Sequence, residues 1–187
     1  MRIQRRSLVV GVLASIPVLV GPGDVAASRM DSAQTRAEDA LLGAWVTAPV
    51  PIATIRRALV AAHFAPAEVD EYQRALGFTN AKSLRFGFTF FRKGSTNHAL
   101  QKFWDAAKRP AGGDDGFYKV LPGHRVAVSS THPDLRPWRE VFGYGVQRNQ
   151  LKLRFISATN PKETAKELRF DRVVMTAATV APYVKTR

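Results

Sequence analysis

Side chains able to move a proton, attack a carbonyl or hold a metal are few in this chain and lie far apart. Four histidines, His63, His98, His124 and His132, occur singly in separate segments. A zinc site or an acid-base pair on one helix would place two such groups three or four residues apart. Asp114 and Asp115 stand between Gly113 and Gly116. A calcium loop needs oxygen ligands at alternating positions, so this pair reads as a solvated turn. Ser129, Ser130 and Ser157 lack the flanking glycines of a nucleophile turn, and no glycine-rich phosphate loop is present. The absence of cysteine removes thiolate metal sites, disulfides and a lipid-modified cysteine anchor. No catalytic residue, metal or cofactor is assigned, and the chain reads as a binding protein rather than an enzyme.

The remaining candidates are apolar. Phe86, Phe88, Phe90, Phe117, Phe142, Tyr144, Leu153 and Phe155 lie in segments whose apolar residues can share one face. Gathered inside a barrel, these eight would line a site for a small apolar or amphipathic molecule. The same positions would serve equally as a filled core. Gly87, Gly143 and Gly145 favour a cavity, because small residues bend strands and leave room.

The elements that must position these residues follow from periodicity. Leu41 to Val46 is a short strand ended by Pro49 and Pro51. From Ile52 the period changes, with Ile52, Ile55, Leu59 and Ala62 on one helical face. Pro66 suits the first position of a second helix, Glu68, Asp70 and Glu71 suit its early turns, and Gly77 closes it after Leu76. Leu84 to Phe90 alternates apolar with Arg, Gly or Thr, the pattern of a strand with one buried face. Gly94 to Asn97 is a turn, and Leu100 to Asp105 reads as a strand. Ala111 to Gly116 reads as a long turn. Phe117 to Leu121 with Arg125 to Ser129, and Phe142 to Gln147 with Leu151 to Ile156, read as hairpins. Leu168 to Met175 is expected to be the last strand, and the tail beyond it gives no signal. The class is mainly β: one antiparallel sheet rolled into a barrel, with two short helices after the first strand. A two-sheet sandwich satisfies the same alternation.

Residues 1–27 carry an export pattern. Arg2, Arg5 and Arg6 precede the uncharged run Leu8 to Val20, and Val25-Ala26-Ala27 offers small residues for cleavage. The thirteen-residue run falls short of the roughly 20 needed to span a bilayer. The working protein is expected to begin near Ser28, outside the cytoplasm, with a flexible lead-in over 28–40 and one domain over 41–187. The paired Arg5-Arg6 leaves the general and twin-arginine routes open. Without residues 1–27, the 28 basic and 15 acidic residues become 25 and 14, a formal charge of +11. That charge favours anionic partners such as an envelope polymer or lipid surface. The basic residues are scattered singly, and the aromatics are not interleaved with them on one face, which argues against nucleic acid. A monomer is expected.

Gly43-Ala44-Trp45 opening the first strand resembles the glycine-x-tryptophan motif of the lipocalin and calycin superfamily. The order of segments, with a helical pair after the first strand, Trp104-Asp105, and then Gly116-Phe117-Tyr118, is similar to exported lipocalin-like proteins of actinobacteria. The resemblance implies a barrel plugged at its closed end by Trp45 beneath an arginine from near the last strand. Arg172 holds that place by order along the chain, so Gly43, Trp45 and Arg172 form the implied structural plug. A guanidinium on an indole face would supply a cation-π attraction there.

Overall fold

The computed structural model describes residues 33–75, 80–105, 110–130, 139–160 and 164–186. The leader expected over 1–27, the helix end at Leu76-Gly77, and His132 lie outside them. The compact unit that carries the fold is Gln34–Arg187. Its lead-in is helical over residues 33–41, here α1. Then follow β1 (Gly43–Thr47), β2 (Val50–Pro51), α2 (Ile52–Ala61) and α3 (Pro66–Ala75). Six strands come next: β3 (Ser83–Lys93), β4 (Thr96–Asp105), β5 (Pro110–Leu121), β6 (Arg125–Ser130), β7 (Arg139–Gln147) and β8 (Gln150–Thr159). The chain finishes with α4 (Ala165–Ala178) and β9 (Tyr183–Thr186).

The strands form a closed antiparallel barrel. Around it the order is β1, β9, β8, β7, β6, β5, β4, β3, and β3 returns to β1, while two-residue β2 extends the edge beside β1. Alternation decides the faces: Leu84, Phe86, Phe88 and Phe90 are buried, and Leu151, Leu153 and Phe155 face them from β8. α2 buries Ile52, Ile55 and Leu59, the face its period predicts. Among the described residues no helix is long and apolar enough to cross a membrane.

Two expected assignments are overturned. Leu168 to Met175 is not a strand but the body of α4. Thr164 and Glu167 form a reciprocal capping box at its start, and Phe170, Val174 and Ala178 recur at helical spacing on the side turned to the core. The expected turn from Ala111 to Gly116 belongs to β5, which pairs with β4 from Pro110 to Phe117. Its glycines and aspartates disfavour strand alone, yet pairing with β4 overrides that preference, and β6 joins on the other side from Gly116 onward. Gly116 is obligatory there, because a Cβ would fall 1.8 Å from the Ser129 carbonyl oxygen.

The signal-free tail also proves structural. β9 pairs with β1 on one side and β8 on the other, so its four residues close the barrel. This placement changes the plug. Trp45 is buried, and its indole N–H donates to the Leu41 carbonyl at 2.7 Å. The cation over its ring is Lys185 of β9, 5.2 Å from the centroid. Arg172 is exposed on α4 and is not that cation. Gly43, at φ +123°, leaves the space that the Lys185 stem fills, since a Cβ would meet Lys185 Cε at 2.6 Å.

Lys185→Ala should therefore lower the unfolding free energy by about 0.5–1 kcal/mol, the value of an exposed cation-π pair. Trp45→Ala should cost about 3–5 kcal/mol, and Arg172→Ala should stay within about 0.5 kcal/mol of the parent. Urea unfolding of the three variants checks the assignment. A loss at Arg172 equal to that at Lys185 would refute it.

Candidate functional site

Seven of the eight expected ligand-binding residues face the barrel interior, because they occupy the inward positions of β3, β7 and β8. Phe86, Phe88, Phe90, Phe142, Leu153 and Phe155 are buried there, and Tyr144 is half-buried. Their rings meet one another. Phe88 stands 5.6 Å from Phe90, 5.5 Å from Phe142 and 5.8 Å from Tyr183, and Phe142 stands 5.7 Å from Phe155. Such centroid distances belong to packed aromatic pairs, so these rings fill the space they face. Phe117 departs from the expectation. It points outward, beside His98 at 5.1 Å, because its inward neighbours on β5 are Gly116 and Tyr118.

The strand glycines likewise open outward. Gly87 lies beneath the Trp104 ring, Gly143 beneath the Arg154 guanidinium, and nothing stands within 4 Å of a Cβ placed on Gly145. Their missing side chains add no room to the interior. α4 crowds it further: Met175 is buried and its sulfur takes a contact from Gln101 Nε2 at 3.8 Å.

Polar groups inside this apolar packing include Tyr118, Tyr183 and Glu140, all buried. The Tyr118 and Tyr183 hydroxyls find no hydrogen-bond partner among the described residues. Burial pushes the Tyr118 phenol up to about 12, helped by Glu38 and Asp39 against the opposing Arg92. Burial raises Tyr183 as well, with Glu140 adding to it, and Tyr144 shifts the same way through burial and Glu38. Sequence reading missed Glu140, although alternation with Phe142 and Tyr144 on β7 places it on the inward face.

The large apolar space lies among the helices and not among the barrel's aromatic rings. A groove of about 800 Å³ runs between α2, α4 and the Pro49–Pro51 corner. Val50, Ala58, Val173 and Ala177 form its floor, and Val180, 83% exposed, stands at its edge. Two arginines border it. Arg169 is engaged, donating to the Ala62 carbonyl and lying 5.2 Å over the Phe64 ring. Arg172 lies three residues on, and no carboxylate of the described residues pairs with it. The site thus joins an apolar trough to a solvated guanidinium, a pairing that suits an amphipathic anion. Helical spacing of Arg169, Arg172, Val173, Thr176 and Ala177 would have revealed it, had α4 been read as a helix.

Among the described residues no three His, Asp or Glu side chains gather closely enough to hold a metal. No family model matches the chain, and neither a curated protein nor a solved structure is significantly similar to it.

The tyrosines give a pH signature. Below pH 10 the folded and unfolded chains both keep the Tyr118 proton, and its contribution to stability is complete. Between the ordinary phenol value and about 12 only the unfolded chain releases it, so stability falls at about 1.4 kcal/mol per pH unit. Tyr118→Phe should hold its stability at pH 8 and exceed the parent by roughly 2 kcal/mol at pH 11.5, relative to pH 8. Urea melts at both pH values measure this. Parallel declines in parent and variant would contradict the shift.

Proposed function

We propose that this protein is an exported, non-enzymatic carrier of a small amphipathic molecule, a lipocalin-like barrel that seats its ligand in the groove between α2 and α4. The groove carries the reading. About 800 Å³ of mainly apolar space matches the volume of ordinary small-molecule sites, and Arg172 at its border supplies one fixed charge for an acidic head. The aromatic interior, expected from sequence to hold the ligand, supports the groove instead, because its rings already contact one another. Export rests on the leader: Arg2, Arg5 and Arg6, the run Leu8 to Val20, and Val25-Ala26-Ala27.

Binding is tested with anilinonaphthalene sulfonate, which combines an apolar ring system with one negative charge. Fluorescence should rise on mixing with the protein. Val180→Asp puts a charge at an exposed edge position without touching the core, and should weaken the probe at least tenfold. Arg172→Gln should weaken it about three- to tenfold, in keeping with one solvated ion contact of roughly 1 kcal/mol. Probe affinity unchanged in both variants, with the fold intact by circular dichroism, sinks the groove. Native mass spectrometry of protein from its own host should then show a retained small molecule.

The leader has its own test. Material recovered outside the cytoplasm should have an intact mass that begins near Ser28. Recovery only of the full-length chain would overturn export.

A further inference from the structure

We propose a second site, independent of the groove: a phosphate-binding dish on the outer face of β6, β7 and β8. Its floor is glycine. Gly143 and Gly145 face outward on β7, and the pairing sets Arg125 of β6 and Arg154 of β8 on either side of Gly143, with Lys152 beside Gly145. Strands lie about 4.8 Å apart, so the two arginines start about 10 Å from each other. Side chains of that length can close on one anion above the glycine between them. The Arg154 guanidinium already leans that way, its Nη2 and Nε 3.6 and 3.7 Å from where a Gly143 Cβ would be. The space over Gly145 is open, and the concavity measures about 330 Å³.

The cations are also held and unneutralised. Arg125 Nε donates to the Pro122 carbonyl at 2.9 Å, which fixes the side chain and leaves its terminal N–H groups for a ligand. The turn that carries it is tied to β7, because Tyr144 N–H donates to the His124 carbonyl at 2.8 Å. No described ion pair involves Arg125, Lys152 or Arg154. The described parts of β6, β7 and β8 contain one carboxylate, Glu140, and it is buried on the inner face. By contrast, Arg92 meets Asp39 at 2.8 Å and Arg56 meets Asp70 at 2.6 Å.

Three cations around a small open floor select an anion with more than one negative charge. Guanidinium groups grip phosphate through paired N–H donors, and lysine adds a mobile point charge. The ligand class is a phosphate monoester or pyrophosphate, free or presented by a lipid head group.

Inorganic pyrophosphate is the probe, titrated into the full chain by calorimetry at low salt. Binding should appear and fall steeply as salt rises. Lys152→Gln with Arg154→Gln should weaken it at least tenfold, and Gly145→Val, which fills the open floor, should do the same without changing the charge. Lys93→Gln with Lys102→Gln removes equal charge from exposed positions on β3 and β4, and should alter binding less than twofold. Vesicles containing phosphatidic acid, whose head group is a phosphate monoester, separate the sources. Capture that pyrophosphate displaces assigns the lipid head group to the dish, and absence of displaceable capture assigns it a free phosphate compound. No detectable pyrophosphate binding, or equal losses in the control and site pairs, overturns the proposal.

Discussion

Closure of the barrel depends on β1. Five residues long, it is the seam strand, hydrogen-bonded to β3 on one side and β9 on the other. Trp45 at its centre locks three things at once: its ring is buried, its N–H holds the end of α1 through Leu41, and its face carries Lys185 from β9. The far end of β1 is stitched as well, because the buried Thr47 hydroxyl accepts from Phe86 N–H at 3.0 Å and Arg85 reaches the Thr47 carbonyl at 3.2 Å. A sheet without free edges needs such a seam, since one missing strand would expose two rows of unpaired backbone groups.

With the seam closed, the two ends of the barrel are handled differently. At the Trp45 end α1 lies over the opening, and Arg92 at the end of β3 pairs with Glu38 and Asp39 of that helix. These acids sit near enough to raise Tyr118 within. At the other end α4 drives Met175 and Phe170 into the core, and Phe170 meets Phe64 edge to face at 5.5 Å. Lys166 joins Glu68 across to α3, which holds that carboxyl below its ordinary range. The wedge has a consequence for binding. Apolar surface on α2 and α4 not consumed by the core is left facing the Pro49–Pro51 corner, and the groove forms there.

Charge is divided along the same geometry. Alternation sends the basic residues of β6 to β8 outward and the aromatic residues inward, so a chain with excess positive charge keeps its interior nearly free of cations. The outward face gathers Arg125, Lys152 and Arg154 only because three strands with different positions in the sequence lie side by side. Scattered singly along the chain, they become neighbours through pairing. Gly143 and Gly145 acquire their meaning in the same way: they face the solvent side, where these cations are.

Much of the fold was written in local pattern. Alternation in Leu84 to Phe90 and Leu151 to Ile156, the helical face of Ile52, Ile55 and Leu59, the proline opening α3, and the glycine turns all act within a few residues, so the sequence by itself determined a mainly antiparallel β domain with two helices after its first strand, with barrel and sandwich both satisfying the pattern until β9 closed the sheet. It also determined which face of most strands is apolar, and hence that Phe86, Phe88, Phe90, Phe142 and Phe155 point inward. Three matters were left to tertiary structure. α4 competes with a strand reading until its capping box and its contacts with Phe64 and Gln101 are counted together. β5 and β9 have little strand preference of their own, and exist because neighbouring strands satisfy their backbone groups. The sites were decided last, because a groove between α2 and α4, or two arginines flanking one glycine, depends on distances between segments that no local period encodes.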